Sequence, residues 1–181
     1  MMYGIVTLLD LPVNAQVETI WQELEMECGL VGIKITPLPH FSWQISNNYE
    51  SDRTLEILER VAQTSPPFQV LASGLGIFTG QTPVIYIPVV KDENLLRLHA
   101  RLWEETRQMV AGASSYYSPH RWMPHITLAS GDVDVAKLNC AMRRLAFKSL
   151  ELEISVDNLA MVYQVDDEEG WLKYRVDFRG G

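Results

Sequence analysis

Two periods divide the apolar residues of this chain. Residues 3–9 are a short run of β-formers and read as a strand. From Val17 the spacing becomes helical, with Val17, Ile20, Trp21, Leu24 and Cys28 on one stripe. Asn14 is placed to cap that helix, and Gly29 or Gly32 to stop it. Residues 33–45 are strand-like but interrupted by Pro37 and Pro39. A second helix is predicted after Asp52, with Leu55, Leu58, Val61 and Ala62 inward. Residues 68–72 and 77–78 are predicted strands around Gly74 and Gly76.

The order then restarts. Residues 84–90 read as a strand, and Asp92 is placed to cap a long helix with Leu95, His99, Leu102, Trp103, Thr106 and Val110 on one side. A loop at 111–123, rich in Gly, Ser, Tyr and Pro, leads to a strand at 125–129. A helix over 133–147 turns Leu138, Ala141, Met142 and Leu145 inward. Strands follow at 150–156, 160–165 and 172–178, the last two joined by an acidic turn at 166–170. Aligning the halves matches Tyr3 with Val84, His40 with His125 and Phe68 with Leu150, at offsets of 81, 85 and 82 residues. This predicts an α+β fold: one domain over residues 1–181, made of two duplicated lobes of about eighty residues related by a pseudo-twofold axis.

Composition narrows the field. The 181 residues are 47% apolar and 21% charged, which fits a globular chain and excludes a disordered one. A chain of this size hides about 70% of its unfolded surface, so a core without metal or disulfide staples is expected. Cys28 and Cys140 lie far apart in apolar helical patterns, with no zinc-ligand spacing, and read as two buried thiols in a reducing compartment. The stretch 61–90 carries no charge, but its prolines and glycines exclude a membrane span. With no basic segment at the N-terminus, a cytoplasmic protein is expected. Fifteen basic against twenty-three acidic residues give a net charge of −8, so stable binding to long nucleic acids is not expected.

The candidate chemistry lies in two segments, Pro39-His40-Phe41-Ser42-Trp43 and Pro124-His125-Ile126-Thr127-Leu128. Both read proline, histidine, apolar, hydroxyl, apolar, at matched positions of the repeat. On a strand, His40 and Ser42 point to one face about 6.5–7 Å apart, as do His125 and Thr127, while the apolar residues point to the other. A pseudo-twofold would bring both faces to one groove. One imidazole accepts a proton while the other donates one, as in-line displacement at phosphorus requires. The hydroxyls of Ser42 and Thr127 donate to the non-bridging oxygens. No metal-ligand set or nucleophile elbow accompanies them.

At these residues the sequence resembles the two-histidine phosphoesterases, the superfamily of the 2′-5′ RNA ligase-like proteins and the 2′,3′-cyclic phosphodiesterases, whose signature is a pair of His-x-Ser/Thr-x motifs. Leu75-Gly76-Ile77-Phe78 leading to Val84–Val89, and 159–163 followed by Gly170 and 174–178, resemble the family's middle strands and closing hairpin. The resemblance implies antiparallel sheets lining a central cleft, His40 and His125 as the acid/base pair, and Ser42 and Thr127 as phosphate clamps. It also implies metal-free, cofactor-free hydrolysis of a 2′,3′-cyclic phosphate on a nucleotide or RNA terminus, with His125 as base and His40 as acid. A non-catalytic nucleotide-binding module and a 2′-5′ RNA ligase are the alternatives. A monomer is the default expectation.

Other residues carry weaker signals. His99, on an apolar stripe, reads as a core histidine, and His120 as a loop histidine near the cleft mouth. Tyr116, Tyr117, Trp122 and Tyr163 offer faces for a nucleobase, or fix their loops to the body. Arg121 and Lys34 are the cations nearest the motifs in sequence, and 166–169 reads as a solvated turn.

Overall fold

A computed structural model describes residues 2–107, 113–164 and 170–180. Its elements are β1 (Met2–Leu8), α1 (Leu11–Cys28), β2 (His40–Ser46), α2 (Ser51–Gln63), β3 (Phe68–Ser73), β4 (Gly76–Phe78), β5 (Val84–Pro88), α3 (Glu93–Thr106), β6 (His125–Ala129), α4 (Val135–Leu145), β7 (Glu151–Val156), β8 (Asn158–Gln164) and β9 (Trp171–Asp177). The expected acidic turn over 166–169, Val110 on the α3 stripe and Val165 at the end of a strand lie outside the described residues.

Helix boundaries follow the side chains that reach the first-turn amides. Asp10, not Asn14, caps α1: its Oδ1 accepts from the Val13 amide at 3.2 Å, and Pro12 occupies the first turn, where no amide donor is needed. Asn14 lies inside the helix and its amide donates to Glu18. Gly29 closes α1 at φ 68, a left-handed position that glycine adopts without strain. Asp52 is likewise inside the first turn of α2, which begins after Glu50 without a side-chain cap. Thr54, Ile57, Leu58, Val61 and Ala62 form its buried stripe, leaving Leu55 at the margin. Asp92 and Asp134 cap α3 and α4. The helix expected over 133–147 is shorter, and Phe147 is exposed beyond its end. The strand expected over 33–45 begins only at His40, because Pro37 and Pro39 bar ladder pairing and 32–35 form a 3-10 turn.

All strand pairs are antiparallel, and the main sheet runs β4-β5-β6-β2-β1-β8-β9. β3 pairs with β7 in a second, two-stranded sheet. This order shows the duplication. Outward from β2 and β6 the equivalents β1 and β5 follow, then β8 and β4, with β9 as an addition at one edge. The last strand of each half thus lies beside the first strand of the other. The lobes meet where Phe41 pairs with Ile126. Helices α1 and α4 pack together, as do α2 and α3. Their apolar stripes join Ile5, Phe41, Trp43, Ile126 and Leu128 in one core. The opposite face of the sheet carries a small apolar cluster, Val6, Ala160 and Val162, with Leu8 and Leu38 packed on it.

The expectation of two separate thiols is overturned. Cys28 and Cys140 form a disulfide, with Cα atoms 5.6 Å apart across 112 residues of sequence. The helical faces alone do not show that α1 and α4 pack side by side, and that adjacency brings the two sulfurs together. With the two cysteines paired, they no longer point to a reducing compartment. Among the described residues no helix is long and apolar enough to cross a membrane.

Candidate active site

Both Pro-His-x-hydroxyl segments lie on central strands, and each strand is bulged at the same motif position. Val6 pairs with Ser42 and Ile5 with Gln44, leaving Trp43 as the extra residue of β2. Tyr86 pairs with Thr127 and Ile85 with Ala129, leaving Leu128 as the extra residue of β6. A bulge interrupts strict alternation, so Trp43-Gln44 and Leu128-Ala129 are consecutive buried residues. Phe41, Trp43, Ile126 and Leu128 are buried in the core, while His40, Ser42, His125 and Thr127 are half-buried on the other face. From the Phe41–Ile126 pair, the antiparallel register sets His40 across from Thr127 and Ser42 across from His125, with Cβ atoms about 5 Å apart at such positions. Each histidine of one half therefore neighbours the hydroxyl of the other.

The two imidazoles are held alike. Nδ1 of His40 donates to the Leu38 carbonyl at 2.5 Å, and Nδ1 of His125 to the Met123 carbonyl at 2.7 Å. A carbonyl only accepts, so Nδ1 carries the proton and Nε2 is the atom left for chemistry. In both segments the proline stands between carbonyl and histidine, and its fixed φ helps return the carbonyl to the ring. Burial pushes both rings below 6.5, against the raising effect of these bonds, and the neighbouring charge of His125 pushes His40 down further.

Around this core the halves differ. His125 meets Phe78 and Tyr86 edge-on, with ring centroids 4.8 and 5.2 Å away, and those two rings stack at 4.1 Å. Gly76 permits this, because a Cβ there would collide with the Tyr86 ring. The Tyr117 phenol lies close to the Ser42 hydroxyl, which draws its pKa down, while burial, the larger effect, pushes it up. His40 and Thr127 instead open onto a groove of about 170 Å³ walled by Tyr3, Ile45, Val162 and Tyr163, among others. The described lining residues carry no Asp, Glu, Lys or Arg. A larger cavity, about 410 Å³, lies between residues 64–68 and α3, and none of the histidines lines it. Among the described residues no three His, Cys, Asp or Glu side chains converge.

The remaining sequence candidates separate clearly. Trp122 is buried, stacked on His99 at 3.8 Å and on Trp43 at 5.3 Å, so it is core and offers no face to a nucleobase. Tyr117 is half-buried and directed at Ser42. Tyr116 is exposed with the Arg121 guanidinium over its ring at 4.6 Å, and Lys34 pairs with Glu25 at 2.5 Å; neither cation lines the groove. His120 is exposed. Tyr163 borders the groove beside His40. Phe78, Tyr86 and Trp21 escape sequence reasoning, because their apolar periodicity reads only as core; Gly76 opposite Tyr86 is the one local signal for a close approach.

His99 is a core histidine, 2% exposed, with Nε2 donating to the Tyr117 carbonyl at 3.0 Å. Burial lowers it to about 4, although that bond raises it. In the unfolded chain the ring protonates near 6.5 while the folded one stays neutral. Stability is therefore lost as pH falls from 6.5 towards 4, by about 3 kcal/mol in total from this group. Urea unfolding at pH 7, 5.5 and 4 should show this slope, and His99→Phe should lack that part of it.

Residues 12–168 match the 2′-5′ RNA ligase superfamily, and the chain belongs to that family. It is 26% identical over 180 residues to a protein of Oceanobacillus iheyensis named “Putative phosphoesterase”, covering 97% of this chain and 96% of the relative. A similarly named protein of Geobacillus kaustophilus is 26% identical over 124 residues, 68% of this chain and 66% of the relative. In fold it resembles TT0787 of Thermus thermophilus, with a TM-score of 0.67 at 20% identity over 99% of both chains. Escherichia coli LigT complexed with 3′-AMP superposes with a TM-score of 0.62 at 12% identity over 97% of both.

Proposed function

We propose that the protein is a metal-independent phosphodiesterase that opens a 2′,3′-cyclic phosphate, on a nucleotide or an RNA end, to a 2′-phosphate. The observation that carries this reading is the pair of Nδ1-anchored imidazoles, each facing the hydroxyl of the other half on one sheet face. Nε2 of His125 takes a proton from water as the water oxygen bonds to phosphorus. The bond from phosphorus to the 3′ oxygen breaks, and Nε2 of His40 gives that oxygen a proton. The hydroxyls of Ser42 and Thr127 donate to the two non-bridging oxygens, where charge builds in the transition state. The open groove on the His40 side suits the nucleoside that keeps the leaving oxygen. The 3′-AMP bound to LigT supports a small-nucleotide substrate, and the names of the relatives support a phosphoesterase.

The test is incubation with EDTA and the four nucleoside 2′,3′-cyclic monophosphates, alongside a short RNA ending in a cyclic phosphate, with 2′- and 3′-phosphates separated. Release of 2′-phosphate is expected. A protein that binds these nucleotides without turning any over is instead a binding module, and one that only joins RNA ends is a ligase.

A further inference from the structure

Two indole N–H groups cross from one half of the molecule to the other and end on the same backbone atom of each motif. Trp21, on α1 in the first half, donates from Nε1 to the Thr127 carbonyl at 3.0 Å. Trp122, before β6 in the second half, donates from Nε1 to the Ser42 carbonyl at 2.9 Å. The two tryptophans are not equivalent in the repeat, so duplication of the chain does not explain the match. Each carbonyl belongs to a clamp hydroxyl residue, and each directly precedes the extra residue of a bulge, Leu128 or Trp43. A bulge disrupts the ladder locally and turns the strand. The tilt of that peptide plane then depends on what bonds its carbonyl, and the tilt sets where the preceding side chain points.

We infer that Trp21 and Trp122 are positioning residues that aim the hydroxyls of Thr127 and Ser42, respectively, each at one non-bridging oxygen of the bound phosphate. The inference rests on the two-histidine reading of the site. Neither indole N–H reaches the phosphate itself, because each is already spent on a backbone carbonyl. The supports differ in stiffness. Trp122 is fully buried and stacks with Trp43 and His99, whereas Trp21 is half-buried on a helix surface. Lys91 fixes the Trp122 backbone as well, with Nζ donating to its carbonyl at 3.1 Å.

A nucleoside 2′,3′-cyclic phosphorothioate exists as two diastereomers, in which sulfur replaces one or the other non-bridging oxygen. We would measure kcat/KM for both with the wild type, Trp21→Phe and Trp122→Phe, and with β-(3-benzothienyl)alanine at each position. That residue keeps the indole shape and lacks the N–H, which covers the case in which Trp122→Phe does not fold. Loss of one N–H should shift the diastereomer ratio by about three- to tenfold, the range of one hydrogen bond. The Trp21 and Trp122 variants should shift it in opposite directions. In a Thr127→Val background, removing the Trp21 N–H should shift it no further. A packing defect lowers both diastereomers equally, so equal losses, or shifts of the same sign, overturn the inference. A wild-type protein that turns over no cyclic phosphate, with oxygen or sulfur, overturns the two-histidine reading itself.

Discussion

His40→Ala and His125→Ala should each lower turnover of a 2′,3′-cyclic nucleotide by about 10²–10⁴-fold while leaving the fold intact. Each ring is half-buried, with a single carbonyl holding Nδ1, so truncation removes Nε2 chemistry without opening the core formed by Phe41 and Ile126 on the opposite face. The losses should not add in the double variant, because in the proposed reaction proton donor and proton acceptor serve one displacement. The pH profile separates them further. Burial pushes both rings below 6.5, so the wild-type kcat/KM should already be falling with rising pH below 6.5, as the required acid loses its proton. The neighbouring His125 charge lowers His40, so His125→Ala should move the NMR titration of His40 upward. Activity that survives either substitution, or a profile still rising through pH 8, would contradict the assignment.

The parts of this site that are legible in sequence depend on short-range geometry. Alternation along a strand places His40 with Ser42 and His125 with Thr127, and the order of elements is enough to pair the halves. The helical spacing of Leu95, His99 and Leu102 is likewise enough to bury His99. What is hidden depends on contacts between distant segments. A bulge at Trp43 or Leu128 leaves no mark in an apolar run, since both residues would be buried in an unbulged strand too. In sequence Trp122 serves equally as a nucleobase face or as a loop anchor, and only the packing of Trp43 from β2 and His99 from α3 against it decides for the anchor. The cap of α1 shows a nearer ambiguity. Asp10 and Asn14 both suit a cap by residue type, and Pro12 decides for Asp10, because proline is favoured in the first turn.

The cysteine pair offers the largest expected change in stability. A cross-link closing a loop of 112 residues removes about 5 kcal/mol of unfolded-chain entropy in the ideal limit, and measured disulfides more often give about 2–4. Breaking it with dithiothreitol, or in the Cys28→Ser/Cys140→Ser variant, should lower Tm by roughly 5–15 °C for a domain of this size. Non-covalent links remain at this contact: Arg144 of α4 pairs with Glu27 of α1, and Lys148, just past the end of α4, pairs with Glu23 at 2.7 Å. Just past Gly29, the Val31 amide donates to Asp132 at 2.9 Å, a further link between the halves that does not involve the cysteines. The histidine anchors lie in the segments leading into β2 and β6 and involve neither cysteine, so turnover at 25 °C should stay within about twofold of the wild type, a change under 0.5 kcal/mol in barrier. A drop in stability with activity retained would assign the disulfide to holding α1 against α4. A loss of both together would mean that the position of α1, and with it Trp21, reaches the proposed clamp at Thr127. Two titratable thiols in the native, unreduced protein, with Tm insensitive to dithiothreitol, would instead restore the separate-thiol reading.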